Sequence, residues 1–98
     1  MQITKNVHDN VLELAISGNL DVVAASKLNE ITEYDLAGIQ ELILDFEKVD
    51  EISSAGLGAI LKAHRKMNTQ GNLKILNIQG VNRRIFEATG FADILTIA

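Results

Sequence analysis

Short stretches with the period of a β-strand alternate along this chain with longer stretches that have the period of a helix. Two strands are predicted at the start, at Gln2–His8 and Val11–Ser17, because apolar residues there tend to occupy every second position. The Asp9-Asn10 pair between them is typical of a two-residue hairpin turn. The fold is therefore expected to begin with an antiparallel strand pair.

Helices and further strands follow the hairpin in turn. Asp21 can cap a helix that begins at Val22 and ends near residues 35–38, and the apolar run at 41–46 predicts a buried strand. The remaining predictions are a polar loop at 47–53, a helix at 55–69, a strand at 73–78, a helix at 81–89, and either a strand or a short helix at 93–98. A hairpin followed by βα units predicts an α/β fold whose mixed sheet has four to five strands, with helices mainly on one face.

Two of the predicted helices carry apolar stripes that should face the core. The stripe of the first helix contains Val22, Ala25, Leu28 and Ile31. The stripe of the second contains Leu57, Ile60, Leu61, His64 and Met67. His64 is therefore interpreted as a packing residue, with Lys62, Arg65 and Lys66 on a solvated or partner-contacting face.

The size and composition of the chain exclude several classes of protein. Ninety-eight residues with 47% hydrophobic and 22% charged side chains fit one globular domain spanning residues 1–98. The absence of cysteine excludes disulfides, a thiol nucleophile and cysteine-ligated metals. The chain has no apolar run long enough to span a bilayer and no signal-peptide core, so a cytoplasmic protein is expected, without membrane attachment.

The net charge of −4 argues against a direct nucleic-acid binder. That total combines an acidic half with a basic one. Residues 1–51 contain eleven acidic and three basic side chains, whereas residues 52–98 contain two acidic and six basic ones. The acidic residues at 41–51 could bind Mg²⁺ or Ca²⁺, but they lack EF-hand spacing and a solvated loop is favoured, so no metal or cofactor is expected.

Residues 49–58 form the segment most suggestive of function. They place Ser53 and Ser54 between a buried strand and a helix, where free backbone N–H groups and the helix dipole favour a negative group such as phosphate. On the residues alone, a serine acting simply as helix N-cap is the favoured interpretation. The small residues Ala55, Gly56 and Gly58 would let another backbone approach this helix closely.

A serine hydrolase is a second interpretation of the same segment, and the residues argue against it. The segment does not match G-x-S-x-G. His64 lies ten residues beyond Ser54 on the same helix, roughly 15 Å away at the usual helical rise. His8 on the first strand is not excluded as a base, but no other feature supports it. No catalytic residue is therefore expected.

The run LILDFEKVDEISSAGLGAILKAHRKM at residues 42–67 resembles the central segment of STAS domains, the family that includes bacterial anti-sigma factor antagonists. The resemblance extends over almost the whole chain. Residues 18–21 are similar to the family's G-x-L-D loop, residues 70–77 to its glycine turn and following strand, and residues 86–91 to its C-terminal helix.

The resemblance implies a non-enzymatic partner switch. In the family, the unphosphorylated protein binds an anti-sigma factor that is also a serine kinase, which frees the sigma factor. Phosphorylation of a serine at the position of Ser54 ends the binding, and a metal-dependent serine phosphatase reverses it. Because the family's usual aspartate is replaced by Ser53 and its following serine by Ala55, Ser53 is a second candidate acceptor.

Both the partner surface and an alternative function follow from the resemblance. The implied partner-binding residues are Asp21, Ser53, Ser54, Ala55, Gly56 and Leu57. The alternative is a STAS-like module that binds a small molecule or nucleotide, or acts as a scaffold, in another signalling or transport complex.

Overall fold

A computed structural model describes residues 1–97, which form five strands and four helices in the order β-β-α-β-α-β-α-α-β. The strands are β1 (Gln2–His8), β2 (Val11–Leu20), β3 (Glu41–Ile52), β4 (Asn72–Leu76) and β5 (Thr96–Ile97). The helices are α1 (Val22–Tyr34), α2 (Ser54–Met67), α3 (Gly80–Thr89) and α4 (Phe91–Ile94). Of the 93–98 stretch, Ala98 lies outside the described residues, and the rest contributes both the end of a short helix and a short strand.

The sheet is mixed and its strands lie in chain order, β1-β2-β3-β4-β5. β1 and β2 pair antiparallel, and every later pair is parallel. Asp9 makes the hairpin turn with a positive φ of 54°, a conformation that aspartate tolerates better than most residues. The predicted hairpin and mixed α/β sheet are therefore confirmed.

One face of the sheet forms the core. Alternate residues of the three central strands are buried: Leu12, Leu14 and Ile16 in β2, Leu42, Leu44 and Phe46 in β3, and Leu73 and Ile75 in β4. The residues between them, such as Ala15 and Lys74, are exposed or half-buried. This alternation is typical of a sheet covered by helices on one face.

The predicted polar loop at 47–53 is wrong, because β3 continues to Ile52. β2 also runs further than predicted, to Leu20, and the two extensions pair through Gly18↔Val49 and Leu20↔Ile52. Gly18 has a φ of +85°, and the register shifts on either side of it. Most residues from Glu47 to Glu51 are exposed in this narrow extension. Their side chains are therefore mostly polar, and their sequence resembles that of a loop.

The buried stripes of both main helices differ from the prediction. In α1, Val22 is 70% exposed, and the buried residues are Ala24, Ala25, Leu28 and Thr32. In α2, His64 is only half-buried, and the buried residues are Gly56, Ala59, Ile60, Ala63 and Met67. Small side chains on both helices permit close packing on the sheet and on each other. No helix within residues 1–97 has the length and apolar character needed to cross a bilayer.

Candidate functional site

The ends of β2 and β3 meet at a single carbonyl group. The backbone N–H of Ser53 donates to the carbonyl oxygen of Leu20 at 3.0 Å, and the Ser53 hydroxyl donates to the same oxygen at 2.9 Å. α1 begins two residues after Leu20, and α2 begins directly after Ser53. The N-termini of both helices therefore lie side by side at the carboxyl edge of the sheet.

Ser53 is the N-cap of α2. Its hydroxyl oxygen accepts a hydrogen bond from the Gly56 N–H at 3.1 Å, and its carbonyl accepts one from the Leu57 N–H at 2.9 Å. Since that hydroxyl also donates to Leu20, both its proton and a lone pair are engaged in a half-buried position. The capping interpretation is confirmed for Ser53.

Ser54 is the first residue of α2 and differs from Ser53 in the exposure and the hydrogen bonding of its hydroxyl. Its side chain is exposed. It takes no part in the side-chain hydrogen bonds found among residues 1–97, all of which involve other residues. The hydroxyl is thus accessible, and it sits at a helix end whose dipole stabilises added negative charge.

Gly56 brings the first turn of α2 against the end of β2. A Cβ at this position would lie 2.5 Å from the Leu20 carbonyl oxygen and 2.8 Å from the Leu20 Cγ atom. The expected close backbone approach is therefore confirmed at Gly56. It is wrong at Gly58, where a Cβ would meet nothing within 4 Å.

Asp21 caps the neighbouring helix, as predicted. Its Oδ1 atom accepts a hydrogen bond from the Ala24 N–H at 3.0 Å. A groove of about 150 Å³ separates the two helix starts, and its lining residues are Asn19, Leu20, Asp21, Glu51, Ile52 and Ser53. The charged groups lining this groove are both carboxylates, so the site is acidic as well as rich in backbone donors.

Two exposed valines stand beside Asp21 and were not recognised as part of the site from the sequence. Val22 and Val23 are 70% and 63% exposed in the first turn of α1. The half-buried Ala55 and Leu57 lie in the first turn of α2. The first turns of both helices thus carry exposed or half-buried apolar side chains. The one sequence feature that could have indicated this apolar surface is the pair of valines directly after the Asp21 N-cap.

His64 lies away from Ser54, ten residues further along α2. His64 lines a separate groove with Asn68, Gly71 and Leu73, toward the other end of α2. In the region spanning residues 1–97, no three histidine, aspartate or glutamate side chains come together as a potential metal site.

These features define a class of protein: a small α/β domain that presents an exposed serine at the start of a helix, at the carboxyl edge of a mixed sheet. The family model of the STAS domain matches residues 2–98. The chain belongs to the STAS domain family.

A named relative supports this assignment, and solved structures share the fold. The anti-sigma-B factor antagonist of Staphylococcus aureus strain NCTC 8325 is 31% identical over 101 residues, covering 99% of this chain and 92% of the relative. An anti-sigma factor antagonist from Mycobacterium paratuberculosis has a TM-score of 0.86 at 22% identity, covering 98% of this chain and 83% of that one.

The antagonist SpoIIAA matches this fold in two chemical forms. Its unphosphorylated form has a TM-score of 0.80 and its phosphorylated form, from Bacillus, a TM-score of 0.79. Both are 20% identical to this chain and cover 99% of it, and the match spans 87% and 91% of the respective SpoIIAA chains. At this identity the likeness concerns the fold alone.

Proposed function

We propose that the protein is an anti-sigma factor antagonist whose unphosphorylated form binds an anti-sigma factor with serine kinase activity and thereby releases a sigma factor. The name of the Staphylococcus relative, which aligns along nearly the full length of both chains, supports this role. The observation that carries the proposal is the exposed, unbonded hydroxyl of Ser54 at the start of α2. In this role the protein is a binding module and has no catalytic residue of its own.

Ser54 is the proposed phosphorylation site in preference to Ser53. Phosphoryl transfer forms a bond between the serine Oγ atom and the γ-phosphorus of ATP, breaks the bond from that phosphorus to ADP, and passes the hydroxyl proton to a base of the kinase. At Ser53 this would remove the donor to Leu20 and place a bulky group in a half-buried cap. At Ser54 no hydrogen bond has to break.

Phosphorylation is expected to change affinity and to leave the fold intact. A phosphoserine carries about 1.5–2 negative charges at neutral pH. The N–H groups and dipole at the start of α2 tolerate this charge in the free protein. A partner that covers Ser54 would instead bury this charge, at a cost of about 3–5 kcal/mol if it is left unpaired.

The proposed partner surface consists of Asp21, Ser53, Ser54, Ala55, Gly56 and Leu57. Asp21 and Ser54 are exposed and can contact a partner directly, whereas Ala55 and Leu57 are half-buried. Gly56 is buried beneath the turn and contributes by setting the distance between α2 and Leu20. Val22 and Val23 extend this surface along α1.

The remaining partners follow from the same switch. A metal-dependent serine phosphatase would hydrolyse the phosphoserine and restore binding, with the metal held by the phosphatase. The protein would act in the cytoplasm, where a sigma factor and its regulator meet. Direct contact with nucleic acid or membrane plays no part in this role.

The test is phosphate mapping. The protein is incubated with ATP and the anti-sigma kinase that wild type captures from its native cell extract, and the products are analysed by mass spectrometry. One phosphate on Ser54 is expected, with Ser53→Ala still labelled at Ser54 and no label on Ser54→Ala. A label on Ser53, or no label on either serine, would contradict the proposal.

A further inference from the structure

The C-terminal part of β3, which leads to Ser53 and Ser54, has a strand neighbour on one side only. β4 pairs with β3 from Glu41↔Asn72 to Asp45↔Leu76 and then ends. β2 continues to pair with β3 as far as Leu20↔Ile52. From residue 46 onward, β3 therefore has one edge whose backbone groups are paired with no strand within residues 1–97.

Asn82 of α3 takes the place of the missing strand. Its Nδ2 atom donates to the Asp50 carbonyl oxygen at 3.2 Å and lies 3.5 Å from that of Val49. α3 is held over this edge by Phe86, whose ring packs edge-on against that of Phe46 with the centroids 6.3 Å apart. The two carbonyls that Asn82 reaches lie three and four residues before Ser53.

The other end of the same amide distinguishes Asn82 from an apolar packing residue. Asn82 is 6% exposed, and its Oδ1 atom is buried without a hydrogen-bond partner. Burying an unpaired acceptor is unfavourable, whereas a leucine of similar size would fill the space without that cost. The amide is therefore useful at this position through its donor, and its donor acts on the strand that carries the serines.

We propose that Asn82 is a positioning residue for Ser54, a role that rests on the function proposed above. By fixing the carbonyls of Val49 and Asp50, it sets the path of the chain into the Ser53 cap. That path decides where the Ser54 hydroxyl stands relative to a bound kinase. A small error in such a position lowers the rate of phosphoryl transfer more than it lowers affinity.

The first test needs no partner. Amide hydrogen exchange is compared between wild type, Asn82→Leu and Asn82→Ala, with Thr89→Ala as control because the Thr89 hydroxyl bonds only within α3. In the Asn82 variants, exchange at Ser53 and Leu57 should accelerate about tenfold relative to that at Leu44 in the sheet core. Uniform acceleration along the chain, or none at Ser53, would overturn the inference. Asn82→Ala serves if the bulk of leucine prevents folding.

The second test measures steady-state phosphorylation by the captured kinase. Asn82→Leu should lower kcat about tenfold and change KM less than about threefold, while Thr89→Ala changes neither. If wild type is not phosphorylated at all, the proposed function fails. If wild type is phosphorylated and kcat is unchanged in both Asn82 variants, the function stands and the positioning role is wrong.

Discussion

Replacing Gly56 with alanine tests the geometry on which the whole site depends. The added Cβ would stand 2.5 Å from the Leu20 carbonyl oxygen, 2.8 Å from the Leu20 Cγ atom and 3.1 Å from the Ile52 Cγ2 atom. The nearest of these is a backbone atom of β2, which cannot rotate away. Either α2 or the end of β2 must therefore move.

Two opposing effects set the size of the change. Overpacking at a tight contact costs about 1–3 kcal/mol. Alanine recovers roughly 0.8–1 kcal/mol of that through its better helix propensity. Because the closest contact is with a backbone atom, the overpacking cost should lie in the upper part of its range, and we expect Gly56→Ala to lower the free energy of unfolding by about 1–2 kcal/mol.

Gly58 provides a matched control on the same helix. It is exposed, and a Cβ there would meet nothing within 4 Å. Gly58→Ala should therefore raise the free energy of unfolding by about 0.5–1 kcal/mol, because only helix propensity and unfolded-state entropy change.

Urea denaturation followed by circular dichroism separates the two variants. With an m-value of about 1–3 kcal/mol/M, the midpoint of Gly56→Ala should fall and that of Gly58→Ala should rise, each by a few tenths of a molar or more. If Gly56→Ala were as stable as Gly58→Ala, the close contact between α2 and Leu20 would be refuted. The account of how Ser53 and Ser54 are positioned would then fail with it.

Four further substitutions separate structural roles from binding roles around the serines. Asp21→Ala should lower the urea stability by about 1 kcal/mol, because it removes the cap bond to Ala24; unchanged stability would contradict that bond's role. Ser53→Ala should cost about 1–2 kcal/mol in the same assay, whereas Ser54→Ala should stay within about 0.5 kcal/mol of wild type, and equal losses would refute the distinction drawn between the serines. Val23→Ser should leave stability within about 0.5 kcal/mol and weaken binding to the anti-sigma factor at least about tenfold by calorimetry; unchanged affinity would remove Val23 from the surface.

The parts of this structure that depend on near neighbours in sequence could be predicted. The Asp9-Asn10 turn, the Asp21 cap and the start of a helix after Ser53 all have local signals, and the structure confirms them. The small size of Gly56 also correctly predicted that another backbone segment, at Leu20, lies close to α2.

Contacts between distant residues could not be predicted in the same way. The hydrogen bond from Ser53 to Leu20 joins residues 33 positions apart, and no pattern in either segment predicts it. The polar sequence of the β3 extension suggested a loop. It is a strand because it pairs with β2 through a register that shifts around Gly18, and that pairing has no local signal in the sequence. Asn82 was missed because its relevance depends on where β4 ends.

The exposure of Val22 illustrates a further limit of helical periodicity. A helical wheel shows which residues share a face of α1. The rotation of the helix about its own axis, however, is fixed by how α1 packs on the sheet and on α2. Ala24, Ala25 and Leu28 are buried, which turns Val22 outward. A valine expected in the core is therefore part of the surface next to the candidate site.

The most direct test of the central claim compares the affinity of two forms of the protein for the anti-sigma factor of its own organism. One form is unmodified, and the other carries phosphoserine incorporated at position 54. If phosphate acts on the interface and not on the fold, the phosphorylated form should bind at least about a hundredfold more weakly. Its circular dichroism spectrum should remain that of wild type. Equal affinity of the two forms would contradict the account.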